Sequence, residues 1–145
     1  MEEVFLDFNL VKIYYDDYKK TRDFSLLEKI LNTQKIELAS FSPNQKISCC
    51  LRINDERYTS KIKEIEDSVF ENIKRDVANS VSREFGIVLN PTEYGFLYGL
   101  PFLGQKVVIK KDEGKFCFFG YYESIPIMCY LIMEVLERVF EKENK

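Results

Sequence analysis

The clearest pattern in the chain is an apolar stripe near its centre. Ile62, Ile65, Val69, Ile73, Val77 and Val81 recur at spacings of three and four, and Lys63, Glu64, Glu66, Asp67, Glu71, Lys74 and Asp76 fill much of the rest. This period gathers the apolar side chains on one face and predicts a helix from about Thr59 to Phe85. Gly86 then stands where a left-handed C-cap would close it. A second wide stripe, Ile127, Leu131, Val135 and Val139 flanked by Met128, Ile132 and Leu136, predicts a C-terminal helix from Ile127 to Glu141. So broad an apolar face has to be covered by a sheet or by a partner subunit.

Alternation marks the strands. Lys35 to Phe41 and Lys46 to Ile53 flank Ser42, Pro43, Asn44 and Gln45, which are turn formers, so a hairpin is expected. Gln105 to Lys110 and Lys115 to Tyr121 form a second hairpin around Lys111, Asp112, Glu113 and Gly114. Phe116 and Phe118 alternate with Cys117 and Phe119, so both faces of the last strand carry apolar groups and part of each needs cover. Asn90, Pro91 and Glu93 follow the order of an N-cap, a first helical position and a third. They predict a short helix that Gly95, Gly99, Pro101 and Gly104 soon stop. At the N-terminus Phe5, Phe8, Leu10, Ile13, Tyr14 and Tyr18 recur irregularly. A helix is expected there, with Val4 to Phe8 as an alternative short strand, and Ser25 with Glu28 as a capping box for Leu26 to Leu31. The resulting order is helix, two strands, long helix, short helix, two strands, helix. It predicts one α+β domain over residues 1–145, with a small antiparallel sheet of two hairpins packed against a long central helix and a C-terminal helix.

Composition narrows the function classes. A chain of 145 residues is enough for one domain whose core needs no disulfide or metal. Twenty-four acidic against twenty-one basic residues give a formal charge of -3. That field repels phosphate backbones and the basic residues do not cluster, so general nucleic-acid binding is not expected. The longest apolar stretch, Ile125 to Val135, is interrupted by Pro126 and Glu134, so no membrane partner is expected. An N-terminus that opens on two glutamates does not read as a signal peptide, and the cytoplasm is the expected compartment. Four cysteines at 49, 50, 117 and 129 contain no CxxC pair, and histidine is absent. This argues against a zinc site. Cys49 and Cys50 are adjacent and point to opposite faces of a strand, so they cannot easily bridge each other. Cys117 and Cys129 lack the imidazole that usually activates a thiol, and inert core cysteines are expected. No glycine pattern suits a nucleotide, no cofactor is expected, and no catalytic residue is nominated.

Two places invite a functional reading. Tyr94 and Tyr98 lie four apart within a glycine- and proline-rich segment that continues to Phe102. They form a pocket wall or a partner-binding edge, or else a tight packing corner. Tyr121, Tyr122, Glu123 and Ser124 occupy a strand-to-helix junction, where hydroxyl donors would lie beside a helix N-terminus. The plainer alternative is capping by Ser124 under tyrosine cover. Arg52, Asp55, Glu56 and Arg57 read as a solvated turn. The run FENIKRDVANSVSREFGIVLNPTEYGFLYGL, within Val69 to Leu100, resembles the paired-helix portion of the sugar-transport regulation domains of bacterial transcription antiterminators. Those domains are helical and regulated on histidines, which this chain lacks, so their function is not carried over. The expected function is a non-enzymatic protein-binding or regulatory module, homodimeric through Met128, Leu131, Ile132 and Val135 and partnered by itself or another protein. The alternative is a small ligand-binding or enzymatic domain with its pocket between residues 90–104 and 121–124, using tyrosine hydroxyls with Lys106 or Glu123.

Overall fold

The computed structural model describes residues 2–23, 29–30, 46–100, 103–110, 115–121 and 125–143. Among them are six strands, β1 (Glu2–Asp7), β2 (Lys46–Arg52), β3 (Val88–Pro91), β4 (Gly95–Leu100), β5 (Leu103–Lys110) and β6 (Lys115–Tyr121). Four helices accompany them, α1 (Phe8–Thr21), α2 (Glu56–Glu64), α3 (Asp67–Phe85) and α4 (Ile125–Glu143). The strands form one mixed sheet in the order β1-β2-β6-β5-β4-β3, with β1 and β2 parallel and every other pair antiparallel. The fold is α+β as expected and the second expected hairpin is present as β5 and β6, but the sheet is a mixed one of six strands.

Strand alternation divides the sheet cleanly. The register row Val4, Cys49, Phe118, Val107 and Phe96 and the row Leu6, Leu51, Phe116 and Ile109 are buried and belong to one core with the helices. Residues between them point to the other, outer face, because successive strand side chains alternate. Burying one such Val, Leu, Ile or Phe is worth about 1.5–3 kcal/mol, so these two rows specify the register strongly.

Several boundaries differ from the sequence reading. The N-terminal segment is both of the alternatives in succession, strand then helix. Asp7 makes the joint: its carboxylate accepts the Leu10 N–H at 3.1 Å and caps α1. Both edges of β2 are filled, by β1 and β6; the other half of its expected hairpin is Lys35 to Phe41. That stretch, the capping box at Ser25 and Glu28, and the loop Lys111 to Gly114 lie outside the described residues. The long central helix is two helices, because Ile65 and Glu66 are extended, with ψ of 128° and 148°. The corner keeps Ile62 and Ile65 buried, so the apolar period runs through it unbroken. Gly86 caps α3 at φ 64° as expected.

The short helix expected at Asn90 is a β-hairpin. Thr92 N–H donates to Gly95 O at 2.8 Å, and Gly95 N–H returns to Thr92 Oγ1 at 3.1 Å, closing a tight turn between β3 and β4. Buried Lys74 on α3 holds that turn: its ammonium donates to Thr92 O at 2.7 Å and Glu93 O at 3.2 Å and pairs with Glu71 at 2.8 Å. Pro91 is tolerated because β3 is an edge strand. Gly95 is required by close approach, since a Cβ there would lie 1.8 Å from Val107 O.

Helix α4 is covered within the chain itself. Met128, Leu131, Ile132 and Val135 are between 0% and 2% exposed in the common core, so the sheet and neighbouring helices cover the face expected to meet a second subunit. Helices α1, α2 and α3 also contact α4. A helix surrounded in this way carries apolar residues on nearly every side, as 128–136 do. Among the described residues no helix is long and apolar enough to cross a membrane.

Candidate functional site

Two surfaces carry chemistry, a polar cleft between α1 and α4 and the outer face of the sheet. Helical spacing puts Lys12, Tyr15, Asp16 and Lys19 of α1 on one side of the cleft, and Glu134, Glu137, Arg138 and Glu141 of α4 on the other. Tyr58 of α2 and Phe140 of α4 close one end with ring centroids 4.4 Å apart, and the cleft encloses about 570 Å³.

Its centre is a closed hydrogen-bond network. Tyr15 O–H donates to Glu134 Oε1 at 2.5 Å and to Glu137 Oε2 at 3.2 Å. Arg138 donates to Glu134 Oε2 at 2.5 Å, and Lys19 Nζ reaches Glu137 Oε2 at 2.7 Å and Glu134 Oε1 at 3.5 Å. Burial opposes charge on Glu134, but the Tyr15 hydroxyl, Arg138 and Lys19 outweigh it and hold the carboxyl below the usual range. Burial, then the neighbouring Glu134, pushes the Tyr15 phenol far up. The acid and the phenol are thus driven apart, away from neutrality. General acid–base work asks for the opposite, a pKa near the working pH. The arrangement joins two helices and leaves neither group poised to transfer a proton.

A second network continues across the same helices. Tyr130 O–H donates to Glu84 Oε2 at 2.7 Å, and Glu84 Oε1 accepts from Arg22 at 2.8 Å and from Tyr18 O–H at 3.3 Å. The Tyr130 ring meets Tyr15, Tyr18 and Phe85 at 5.5, 5.1 and 5.1 Å, mostly edge-to-face. These contacts fasten α1 and α3 to α4.

The outer sheet face is different in kind. Register aligns Glu3, Ser48, Phe119, Lys106, Leu97 and Asn90 in one row and Phe5, Cys50, Cys117, Val108 and Gly95 in the next. Phe5, Phe119 and Leu97 are 64%, 40% and 36% exposed. A hollow of about 240 Å³ opens among Glu3, Ser48, Cys50, Lys115, Cys117 and Phe119. Arg52 and Lys115 stand opposite each other in the following row. Among the described residues no three His, Cys, Asp or Glu side chains come together to hold a metal ion.

The residues nominated from sequence are scattered. Tyr94 is exposed at the β3–β4 turn, and Tyr98 lies in β4 opposite Leu89 and Gln105, so the two share no helical face. Tyr121 ends β6 opposite Lys46. Phe102, Tyr122, Glu123 and Ser124 lie outside the described residues. Asp55 caps α2 and pairs with Arg57 at 2.7 Å, as a solvated turn would. Lys106 points to the outer face, away from the core. The cleft was missed, although a signal existed: Glu134 interrupts an oily run, Leu131 to Leu136, and a carboxylate so placed needs partners. The chain matches no protein-family model, no curated protein and no solved structure with which it was compared.

Proposed function

We propose that this chain is a non-enzymatic protein-binding module that self-associates through the outer face of its sheet. The observation that carries the reading is the exposure of Phe5, Phe119 and Leu97 on one sheet face while helices cover the other. Exposed apolar groups gathered on one surface and rimmed by charge are the mark of an association site. Charge complementarity points to a second copy. A two-fold axis along the strands, between β2 and β6, lays β1 of one copy over β5 of the other. Glu3 then faces Lys106 of the partner subunit along the same register row, and Phe5 faces Val108 of the partner subunit. The closed network at Glu134 supports a role without catalysis.

Sedimentation equilibrium across the micromolar range tests this. Phe5→Glu and Phe119→Glu are expected to give monomers that keep the wild-type circular dichroism spectrum. Glu3→Lys or Lys106→Glu alone weakens association, and the two together restore it. A wild-type chain that stays monomeric, or a double swap no better than either single one, refutes the reading.

A second reading rests on the α1–α4 cleft, whose volume lies in the range of small-molecule sites. Lys12 lies 5.3 Å from the Tyr58 ring and Lys61 4.5 Å from the Phe140 ring. This edge suits a small acidic or amphoteric molecule with an apolar part.

A further inference from the structure

The four cysteines divide into two kinds. Cys49 and Cys129 are inside the core, and burial pushes the Cys129 thiol up to about 12. Cys50 and Cys117 are on the outer face, directly opposite each other across the antiparallel β2–β6 pair. Directly opposed residues of such a pair have Cα atoms about 4.5–5.5 Å apart, within the span that a disulfide bridges. Their sulfurs are 2.7 Å apart, so both rotamers already point at each other.

Access to the two thiols is unequal. Cys50 is buried, while Cys117 is partly exposed. Both line the 240 Å³ hollow, with Lys115 and Glu3 also on its wall. A reagent therefore meets Cys117 first and finds Cys50 beside it on the neighbouring strand.

We propose that Cys50 and Cys117 form a thiol–disulfide exchange site that takes a low-molecular-weight disulfide of the glutathione class. Cys117 gives its proton to water, and its thiolate attacks one sulfur of oxidised glutathione. The reagent's S–S bond breaks, one glutathione leaves as a thiolate, and Cys117 carries the other as a mixed disulfide. Cys50 then loses its proton and attacks Cys117 Sγ, and the second glutathione leaves. Two protein thiols have been oxidised by two electrons to one intrachain disulfide, and the reagent has been reduced to two thiols. Burial, then the hydrogen bond with Cys50, lifts the Cys117 thiol to about 11, so the exchange is slow at neutral pH and quickens as pH rises. The pair is a staple that responds to redox poise and not a fast catalyst. It joins positions 67 residues apart on neighbouring inner strands, so the oxidised form melts several degrees higher. The bond lies within one chain, and because the proposed self-association would cover this same hollow, exchange takes place on the dissociated chain.

The test uses the full chain in mixtures of reduced and oxidised glutathione, quenched with acid, unfolded and alkylated. Mass and peptide maps are expected to show a monomer with two fewer alkyl groups and a Cys50–Cys117 linked peptide, with Cys49 and Cys129 alkylated. Cys50→Ser is expected to stop at a glutathione adduct on Cys117, and Cys117→Ser to acquire none. The inference is overturned if excess oxidised glutathione leaves all four thiols free or the wild type stops at the adduct. A disulfide-linked dimer, or a bond through Cys49 or Cys129, also overturns it. The wild-type map decides even where a serine variant fails to fold.

Discussion

Replacing Tyr15 by phenylalanine isolates one hydroxyl in the interhelical cleft, whose shorter contact is to Glu134 at 2.5 Å and whose longer one is to Glu137 at 3.2 Å. The side chain is fully buried, and its ring packs 5.5 Å from Tyr130, so Tyr15→Phe keeps the packing and removes only the hydroxyl. A hydrogen bond to a charged acceptor contributes about 1.5–3 kcal/mol. The lower half of that range applies, because Glu134 retains Arg138 at 2.5 Å and Lys19 at 3.5 Å. The expected loss is about 2 kcal/mol at neutral pH, or roughly 6 °C in Tm for a chain of this length. Its pH dependence separates the bond from any change in packing. The depressed Glu134 carboxyl stabilises the fold fully above its ordinary value of 4.5, and that contribution disappears as pH falls through the lower folded value. Below that point the phenol meets a neutral acid, and the cost of Tyr15→Phe should fall to about 1 kcal/mol. Urea melts at neutral and acid pH measure both limbs. A double-mutant cycle with Glu134→Gln should give a coupling of about 1–2 kcal/mol. A neutral-pH cost below about 0.5 kcal/mol, or an equal cost at both pH values, would refute the ionic character given to this contact.

Two further expectations follow from named positions. Gly95→Ala drives a methyl into the Val107 carbonyl and should cost about 3 kcal/mol, whereas Gly86→Ala meets nothing within 4 Å and loses only about 1 kcal/mol to its left-handed φ. Equal costs in denaturant melts would contradict the reading of Gly95 as a close approach. At high pH the phenols of Tyr15 and Tyr130 are held above their ordinary value of 10.0, by burial first and by Glu134 and Glu84 next. Unfolded tyrosines lose protons first, so stability should fall as pH rises through that value, with phenolate absorbance from these two appearing only on unfolding. Phenolate signal from the buried pair in the folded protein would argue against it.

Most of the helical content was legible because a helix records its covered face in a local period. The stripe from Ile62 to Val81 located α3 to its glycine cap, and the alternation around Phe116 and Phe118 located β6. The same period passes over the corner at Ile65 and Glu66, since a two-residue break that keeps both flanking apolar groups inward leaves the spacing unchanged. At Asn90 local capping chemistry favoured a helix, yet the segment is a strand. Its backbone finds partners in β4, and Lys74, eighteen residues earlier, grips the turn. Leu131 shows the same limit from the other side. Apolar spacing announces that a face is covered but not by what, and Leu131, read from the sequence as a subunit contact, is a core residue.

Local order along the chain therefore located the main apolar helices, the last strand and the glycine that ends α3, because those features depend on neighbours within a few residues. Which strands lie side by side, which thiols meet and what surrounds Glu134 depend on segments up to 119 residues apart. Such pairings are set by the simultaneous burial of many side chains and by the closure of every buried donor and acceptor, and neither condition is expressed in any short stretch of sequence.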